Sequence, residues 1–272
     1  DSLDELEDIT DIIVRSLDSL LDYQDYPLKS AEITSNNRRT LGIGITNLAY
    51  YLAKNDVKYS DGSGNDLIHK TFEALQYYSL KASNEIAQEF GPCPLFSETQ
   101  YAKGIMPIDS YKKDIDKFCN TKLELDWDTL RKNIQEKGLR NSTLTALMPC
   151  ESSSQISNST NGIEPPRGFI SVKQSKDGIL KQVVPEYEKL HKKYELLWDI
   201  KDNEGYLQLC AIMQKFVDQS ISTNTHYDPS QYDGNRVPMK LFLMDLLKAY
   251  KYGIKTLYYH TTRDGASDES IE

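Results

Sequence analysis

Cysteine is sparse and scattered. Cys93, Cys119, Cys150 and Cys210 are the only four in 272 residues, no two form a CxxC pair, and the four histidines (His69, His191, His226, His260) do not cluster near them. A zinc site and a disulfide framework are both excluded on that spacing, and no metal ligand set is expected. Long apolar runs are also missing. None approaches the ~18 residues that cross a bilayer, and the first twenty residues are acidic, so neither a membrane span nor a signal peptide is expected. The compartment expected is the cytoplasm. Basic residues are outnumbered, 32 Lys and Arg against 41 Asp and Glu, for a formal net charge of −9. Such a chain has no general affinity for nucleic acid, and a nucleotide bound here should be a small one. No G-x-S-x-G elbow is present, which disfavours a serine hydrolase. No internal repeat or low-complexity linker occurs, and the chain opens without Met inside a helix-like stretch, as a piece of something longer would.

What is present is ordinary globular material, 39% hydrophobic and 27% charged, enough for one sizeable core or two modest ones. Helix-like segments alternate with short β-branched or Gly-containing runs, the pattern of an α/β protein with crossover connections. Apolar spacing predicts helices over Ser2–Leu21, Thr46–Lys54, Asn65–Phe90 (stopped by Gly91), Trp127–Lys137 (stopped by Gly138), Glu186–Trp198, Glu204–Ser222 and Pro238–Tyr252 (stopped by Gly253). The stretch through Asn37 reads as a polar loop. Strands are expected at Leu41–Ile45, in the run ending at Pro149, at Phe169–Lys173 and Ile179–Val184 around the turn Ser175-Lys176-Asp177-Gly178, and at Ile254–Tyr259. Residues 1–260 form the folded part in this reading, and Thr261–Glu272 an acidic, mobile tail.

One junction carries chemistry. In Leu144–Gly162 an apolar run ends at Pro149 and opens into hydroxyl residues, with Ser152 and Gln155 at the spacing of a capping box. A helix N-terminus offers free N–H groups and roughly half a positive charge, so a phosphate fits without Lys or Arg. The alternative is a helix that caps only itself. The same dipole would favour a thiolate at Cys150, against an inert small side chain. Gly42-Ile43-Gly44 has the look of a dinucleotide fingerprint, but Asn47 replaces the third glycine and no acidic residue closes a βαβ unit, so close strand packing explains it better. Tyrosine is abundant, 18 residues, and doubled at Tyr50-Tyr51, Tyr77-Tyr78 and Tyr258-Tyr259; the residues alone assign no redox role to the last pair.

Several runs together resemble one family. Arg39-Thr40-Leu41-Gly42-Ile43-Gly44, His69-Lys70-Thr71, Tyr101-Ala102-Lys103-Gly104-Ile105, Gly138-Leu139-Arg140-Asn141-Ser142 through Pro149, Gln155-Ile156-Ser157-Asn158, Asn161-Gly162-Ile163-Glu164-Pro165-Pro166-Arg167-Gly168 and Leu257-Tyr258-Tyr259 are similar to the large (alpha) subunit of class I ribonucleotide reductase, of the aerobic bacterial and phage type. The likeness covers nearly the whole chain but only the C-terminal portion of a longer family chain. It implies several strands and helices of a ten-stranded α/β barrel, and reduction of ribonucleoside diphosphates to deoxyribonucleoside diphosphates by radical chemistry, in the cytoplasm (the host's, for a phage). It implies further that Pro149, Cys150, Glu151, Ser152 and Ser153 hold the substrate diphosphate, with Cys150 standing where relatives carry Ser or Thr, and that Tyr258 and Tyr259 relay an oxidising equivalent. The catalytic cysteines and allosteric nucleotide sites would lie on a missing N-terminal portion, and none of the four cysteines here matches a reducing position. No cofactor would be bound by this chain; a di-iron small (beta) subunit would supply the radical and a thioredoxin or glutaredoxin type protein the electrons. The chain would be inactive alone, whether split-gene product or fragment. The other readings are a catalytically inactive nucleotide-phosphate module and a helical interaction domain.

Overall fold

The computed structural model describes residues 4–175 and 178–263. The centre of the expected hairpin turn, 176–177, and residues 264–272 of the expected tail lie outside the described residues.

The helices are α1 (Asp4–Tyr23), α2 (Lys29–Arg38), α3 (Leu48–Lys54), α4 (Asn65–Phe90), α5 (Pro107–Ser110), α6 (Trp127–Lys137), α7 (Glu151–Ile156), α8 (Tyr187–Leu190), α9 (Glu204–Phe216) and α10 (Met239–Tyr252); the strands are β1 (Ile170–Ser175), β2 (Gly178–Val183), β3 (Thr223–Tyr227) and β4 (Leu257–Thr262). Helices α4 and α6 have the bounds their periodicity predicts. Asp126 caps α6 by accepting the Thr129 N–H at 3.1 Å, and Gly91 and Gly138 end α4 and α6 at φ of 84° and 82°, a region open to glycine without strain.

Helix α9 is the middle of the core. From Gly205 to Phe216 all but one residue is buried, with Leu207, Leu209, Cys210, Met213 and Phe216 at zero exposure. A helix apolar on every side must be enclosed on every side, and α4 and α10 both pack on it. Each such Leu or Phe contributes about 1.5–3 kcal/mol relative to exposure. Gly205 permits the closest approach, since a Cβ there would sit 2.3 Å from the Ser60 carbonyl oxygen. Helix α1 turns Leu6, Val14, Leu17 and Leu21 to the core and leaves Ile9, Ile12 and Leu20 exposed. Among the described residues no helix is long and apolar enough to cross a membrane.

The architecture is mixed α/β, and the strands that matter are parallel. Leu41 and Ile43 donate their N–H groups to the Thr143 and Leu144 carbonyls (3.1 and 2.8 Å), Leu147 donates to Ser220 and Ser222 back to Leu147 (3.0 and 2.8 Å), and β3 pairs parallel with β4. Residues 41–45, 143–148, 220–227 and 256–262 thus lie side by side in chain order. Helices fill each connection: α3, α4 and α6, then α9, then α10. Among the described residues the sheet does not close.

Several expectations need correction. The polar loop before Asn37 contains α2, a helix with no buried residue, which periodicity cannot reveal. Glu186–Trp198 is only α8 and a 3₁₀ turn at Leu197–Asp199. Helix α9 stops at Phe216 because Val217 turns extended, φ −70° and ψ 122°, to enter the third parallel segment. The last strand runs Leu257–Thr262 rather than Ile254–Tyr259 and takes in Thr261 and Thr262 from the expected tail.

Candidate functional site

Three loops meet at the carboxyl ends of the first two parallel segments, where open α/β sheets bind their ligands. Asn47 joins two of them, donating its N–H to the Thr160 carbonyl (2.9 Å) and accepting the Thr160 N–H on Oδ1 (3.0 Å). Leu48 donates to the Gly162 carbonyl at 3.2 Å. The third loop begins at Pro149, and Cys150 donates its N–H to Asn161 Oδ1 at 2.8 Å. From the hairpin, Gln182 Nε2 reaches the Ser154 and Ser159 carbonyls at 3.2 and 3.0 Å and clasps the loop from outside.

Helix α7 follows this loop, but two positions earlier than its capping-box spacing predicts. Cys150 is the N-cap, without a side-chain cap bond, and Ser154 N–H to the Cys150 carbonyl (2.8 Å) closes the first turn. Ser152 is therefore a first-turn residue and no box forms with Gln155. A six-residue helix carries a weak macrodipole, so the backbone donors of Glu151, Ser152 and Ser153 matter more than the dipole. Ser152 and Ser153 are solvent-exposed.

Cys150 does not behave as an activated thiol. Its Sγ donates to the Met148 carbonyl at 3.3 Å and the Ile45 carbonyl at 3.7 Å, and burial pushes its pKa up. The thiol is spent on backbone carbonyls, which overturns the thiolate reading.

Tyr258 and Tyr259 stack with ring centroids 4.0 Å apart and planes 45° from parallel. Neighbours on a regular strand point to opposite faces. Here Thr223 pairs with Leu257 and Thr225 with His260, so Asn224 alone stands opposite both tyrosines. That is a β-bulge, and the extra residue turns the two rings to one side. Both rings are about half exposed, and their mutual hydrogen bond holds the Tyr258 phenol above its usual pKa.

Between loop and strand lies a groove lined by Met148, Pro149, Asn161, Glu164, Ser222 and Asn224, among others. Asn224 donates from Nδ2 to Glu164 Oε1 and accepts the Tyr259 N–H on Oδ1 at 2.9 Å. Burial raises the Glu164 carboxyl, and burial with the nearby Arg167 charge lowers His226 to about 4, so His226, 4.0 Å from Glu164, is neutral near pH 7. Asn224 and His226 escape sequence reasoning because Thr-Asn-Thr-His-Tyr, between the helices expected at Glu204–Ser222 and Pro238–Tyr252, has no apolar alternation to mark a strand. Asn161 and Glu164 stand in a run whose two prolines mark it as irregular without indicating that it folds back onto residue 150. Among the described residues no group of three or more His, Cys, Asp or Glu could hold a metal ion.

Comparison with known proteins matches residues 1–260 to a family described as "Ribonucleotide reductase, barrel domain". The chain is 69% identical over 255 residues to the ribonucleoside-diphosphate reductase subunit alpha of Haemophilus influenzae, covering 94% of this chain and 34% of that one. It is 66% identical over 248 residues to ribonucleoside-diphosphate reductase 1 subunit alpha of Escherichia coli (91% and 33%). It is 49% identical over 271 residues to the subunit alpha of Enterobacteria phage T4 (99% and 36%). The chain therefore spans about a third of the length of the curated relatives it matches.

Proposed function

The chain belongs to the ribonucleotide reductase barrel-domain family, and on that premise we propose that it works as the C-terminal part of a class I ribonucleoside-diphosphate reductase large subunit. In this role it seats the substrate and passes the radical, while the N-terminal portion of the large subunit carries the catalytic cysteines and the allosteric sites. The backbone of Glu151, Ser152 and Ser153 at the strand ends receives the diphosphate oxygens; Pro149 and Cys150 shape the turn, and the Cys150 thiol stays out of the contact. Tyr258 and Tyr259 exchange a hydrogen atom. One phenol O–H breaks as the O–H of the neighbouring phenoxyl forms, so no bare cation builds up on either ring.

The observation that carries this reading is the bulge at Asn224, which brings two consecutive tyrosines into a 4.0 Å stack beside the loop. A pair placed only for packing has no need of it. The open edge of β4 and the exposed Met239, Leu243, Leu247 and Tyr250 of α10 support a role within a larger assembly. The partners in this reading are the N-terminal portion of the large subunit, a di-iron small subunit and a thioredoxin or glutaredoxin type reductant.

Tyr258→Phe and Tyr259→Phe test the relay in the complex assembled from those chains. Each keeps its ring and loses its phenol proton. Nucleoside diphosphate binding should persist and turnover should vanish; normal turnover in either variant removes the relay, and binding without turnover in the unaltered complex favours a phosphate-binding module instead.

A further inference from the structure

A bulge leaves one residue without a ladder partner, so the backbone N–H there needs another acceptor. Here the N–H of Tyr259 is held by a side chain, Asn224 Oδ1, at 2.9 Å. Asn224 is itself buried, and its other end, Nδ2, is committed to Glu164 Oε1. The path continues. Glu164 donates its N–H to the Asn161 carbonyl at 3.3 Å, and Asn161 Oδ1 accepts the Cys150 N–H at 2.8 Å. An unbroken set of hydrogen bonds thus runs from the first residue of the Cys150–Ser153 turn to the backbone beneath the tyrosine stack.

We propose that Asn224 is the positioning residue of the Tyr258–Tyr259 stack, and that through Glu164 it ties the geometry of that stack to occupancy of the Pro149–Ser153 loop. The inference rests on the assignments of loop and pair made above. Asn suits the task because its amide offers an acceptor and two donors in one rigid plane, so one side chain can hold the bulge and reach the loop together. Glu164 suits it because the carboxyl that receives Nδ2 belongs to the same short segment as Asn161. Asn224 touches no reacting atom in this arrangement; it acts through the backbone of Tyr259.

Coupling along such a path is established only by an equilibrium that both ends bias. The test uses the assembled complex with 3-fluorotyrosine at position 259 and cytidine diphosphate as the probe. In the unaltered complex, cytidine diphosphate should move the fluorine resonance. In Asn224→Leu the shift should be lost and kcat should fall about tenfold, while KM and nucleotide affinity stay within about twofold, because the loop keeps its own bonds. Retained affinity shows that this variant is folded. Glu164→Gln keeps an acceptor oxygen toward Asn224 and should keep both shift and turnover, whereas Glu164→Leu should lose the shift. A full shift and normal kcat in Asn224→Leu overturn the proposal, as does a parallel loss of affinity and turnover, which marks a merely structural residue. If Tyr259→Phe loses turnover while Asn224→Leu does not, the proposal alone fails; if Tyr259→Phe turns over normally, the relay reading beneath it fails.

Discussion

Gly44 lies against Ala146 so closely that a Cβ on Gly44 would stand 2.8 Å from the Ala146 carbonyl oxygen and 2.8 Å from Met148 Sδ. Gly42, two residues earlier, would meet Met148 Cε at 3.5 Å and Ala146 Cβ at 3.9 Å, both ordinary contacts. Gly44 therefore serves the close approach of the first two parallel segments, as packing predicts. Gly44→Ala should cost about 1–3 kcal/mol in urea unfolding, since a backbone oxygen cannot yield as a side chain can. Gly42→Ala should cost less than about 1 kcal/mol. Equal costs would mean that the strand spacing is not what Gly44 protects.

The phosphate seat is tested at the backbone. Pro is tolerated in the first helical turn, where its missing N–H has no intrahelical acceptor. Ser152→Pro and Ser153→Pro should therefore leave α7 intact and weaken nucleoside diphosphate binding in the assembled complex by roughly tenfold or more for each charged hydrogen bond removed. Ser152→Ala, which deletes a hydroxyl and keeps the N–H, should bind nearly as the parent does. Titration calorimetry on the three variants decides the matter, and unchanged affinity in both proline variants would reduce α7 to an ordinary turn.

Stability should depend on pH through two neutral histidines. His69 is buried against Lys215, whose Nζ donates to His69 Nε2 at 3.0 Å; burial first and the Lys215 charge second lower its pKa to about 4. His226 is also lowered to about 4. An unfolded histidine titrates near 6.5, so between the two values the unfolded chain binds more protons and stability rises with pH. It is fully present above about pH 6.5 and is lost as pH falls toward 4, by on the order of 3 kcal/mol per histidine. Glu164 works in the opposite sense. Its carboxyl is held above the ordinary range, so deprotonation just above that range costs stability and trims the His226 contribution. Guanidinium unfolding from pH 4 to 7 should show a rising slope that becomes shallower in His69→Gln; a flat profile in the parent chain would contradict the neutral assignment.

Arg39 anchors α1 to the first parallel segment. Its Nε donates to Asp18 Oδ1 at 2.7 Å and its Nη atoms to Asp22, with Arg39 and Asp18 at 4% and 6% exposure, while Arg140 and Asn141 also bond Asp18. Breaking a buried pair from one side leaves an undercompensated charge, so Arg39→Met should destabilise by roughly 3–5 kcal/mol. The double change Arg39→Met with Asp18→Leu should recover part of that loss in the same denaturation experiment. No recovery would show that the Arg140 and Asn141 bonds, rather than the Arg39 pair, account for the effect.

Residues 65–90 and 127–137 announce their helices because each helix closes its hydrogen bonds within itself, and a stripe of apolar residues with a glycine stop describes it without reference to the rest of the chain. The parallel segments do not announce themselves as well. Leu41–Ile45 was legible only as an apolar run and residues 223–227 not at all, because a strand's partners lie about a hundred residues away for the first and thirty-five for the second. Likewise Ser152 and Gln155 have the spacing of a cap, but the turn closes on Cys150 because Asn161 captures the Cys150 N–H.

By itself the sequence determined the long helices α4 and α6, the α/β class and the likeness to a reductase barrel, all of which depend on local periodicity or on residue identity in runs. The tertiary structure decided that α7 closes on Cys150 rather than Ser152, that the Cys150 thiol is turned onto carbonyls, and that the Tyr258 and Tyr259 rings meet. Adjacent strand residues diverge unless a bulge intervenes, and a bulge exists only in the register between two strands, which no single segment contains.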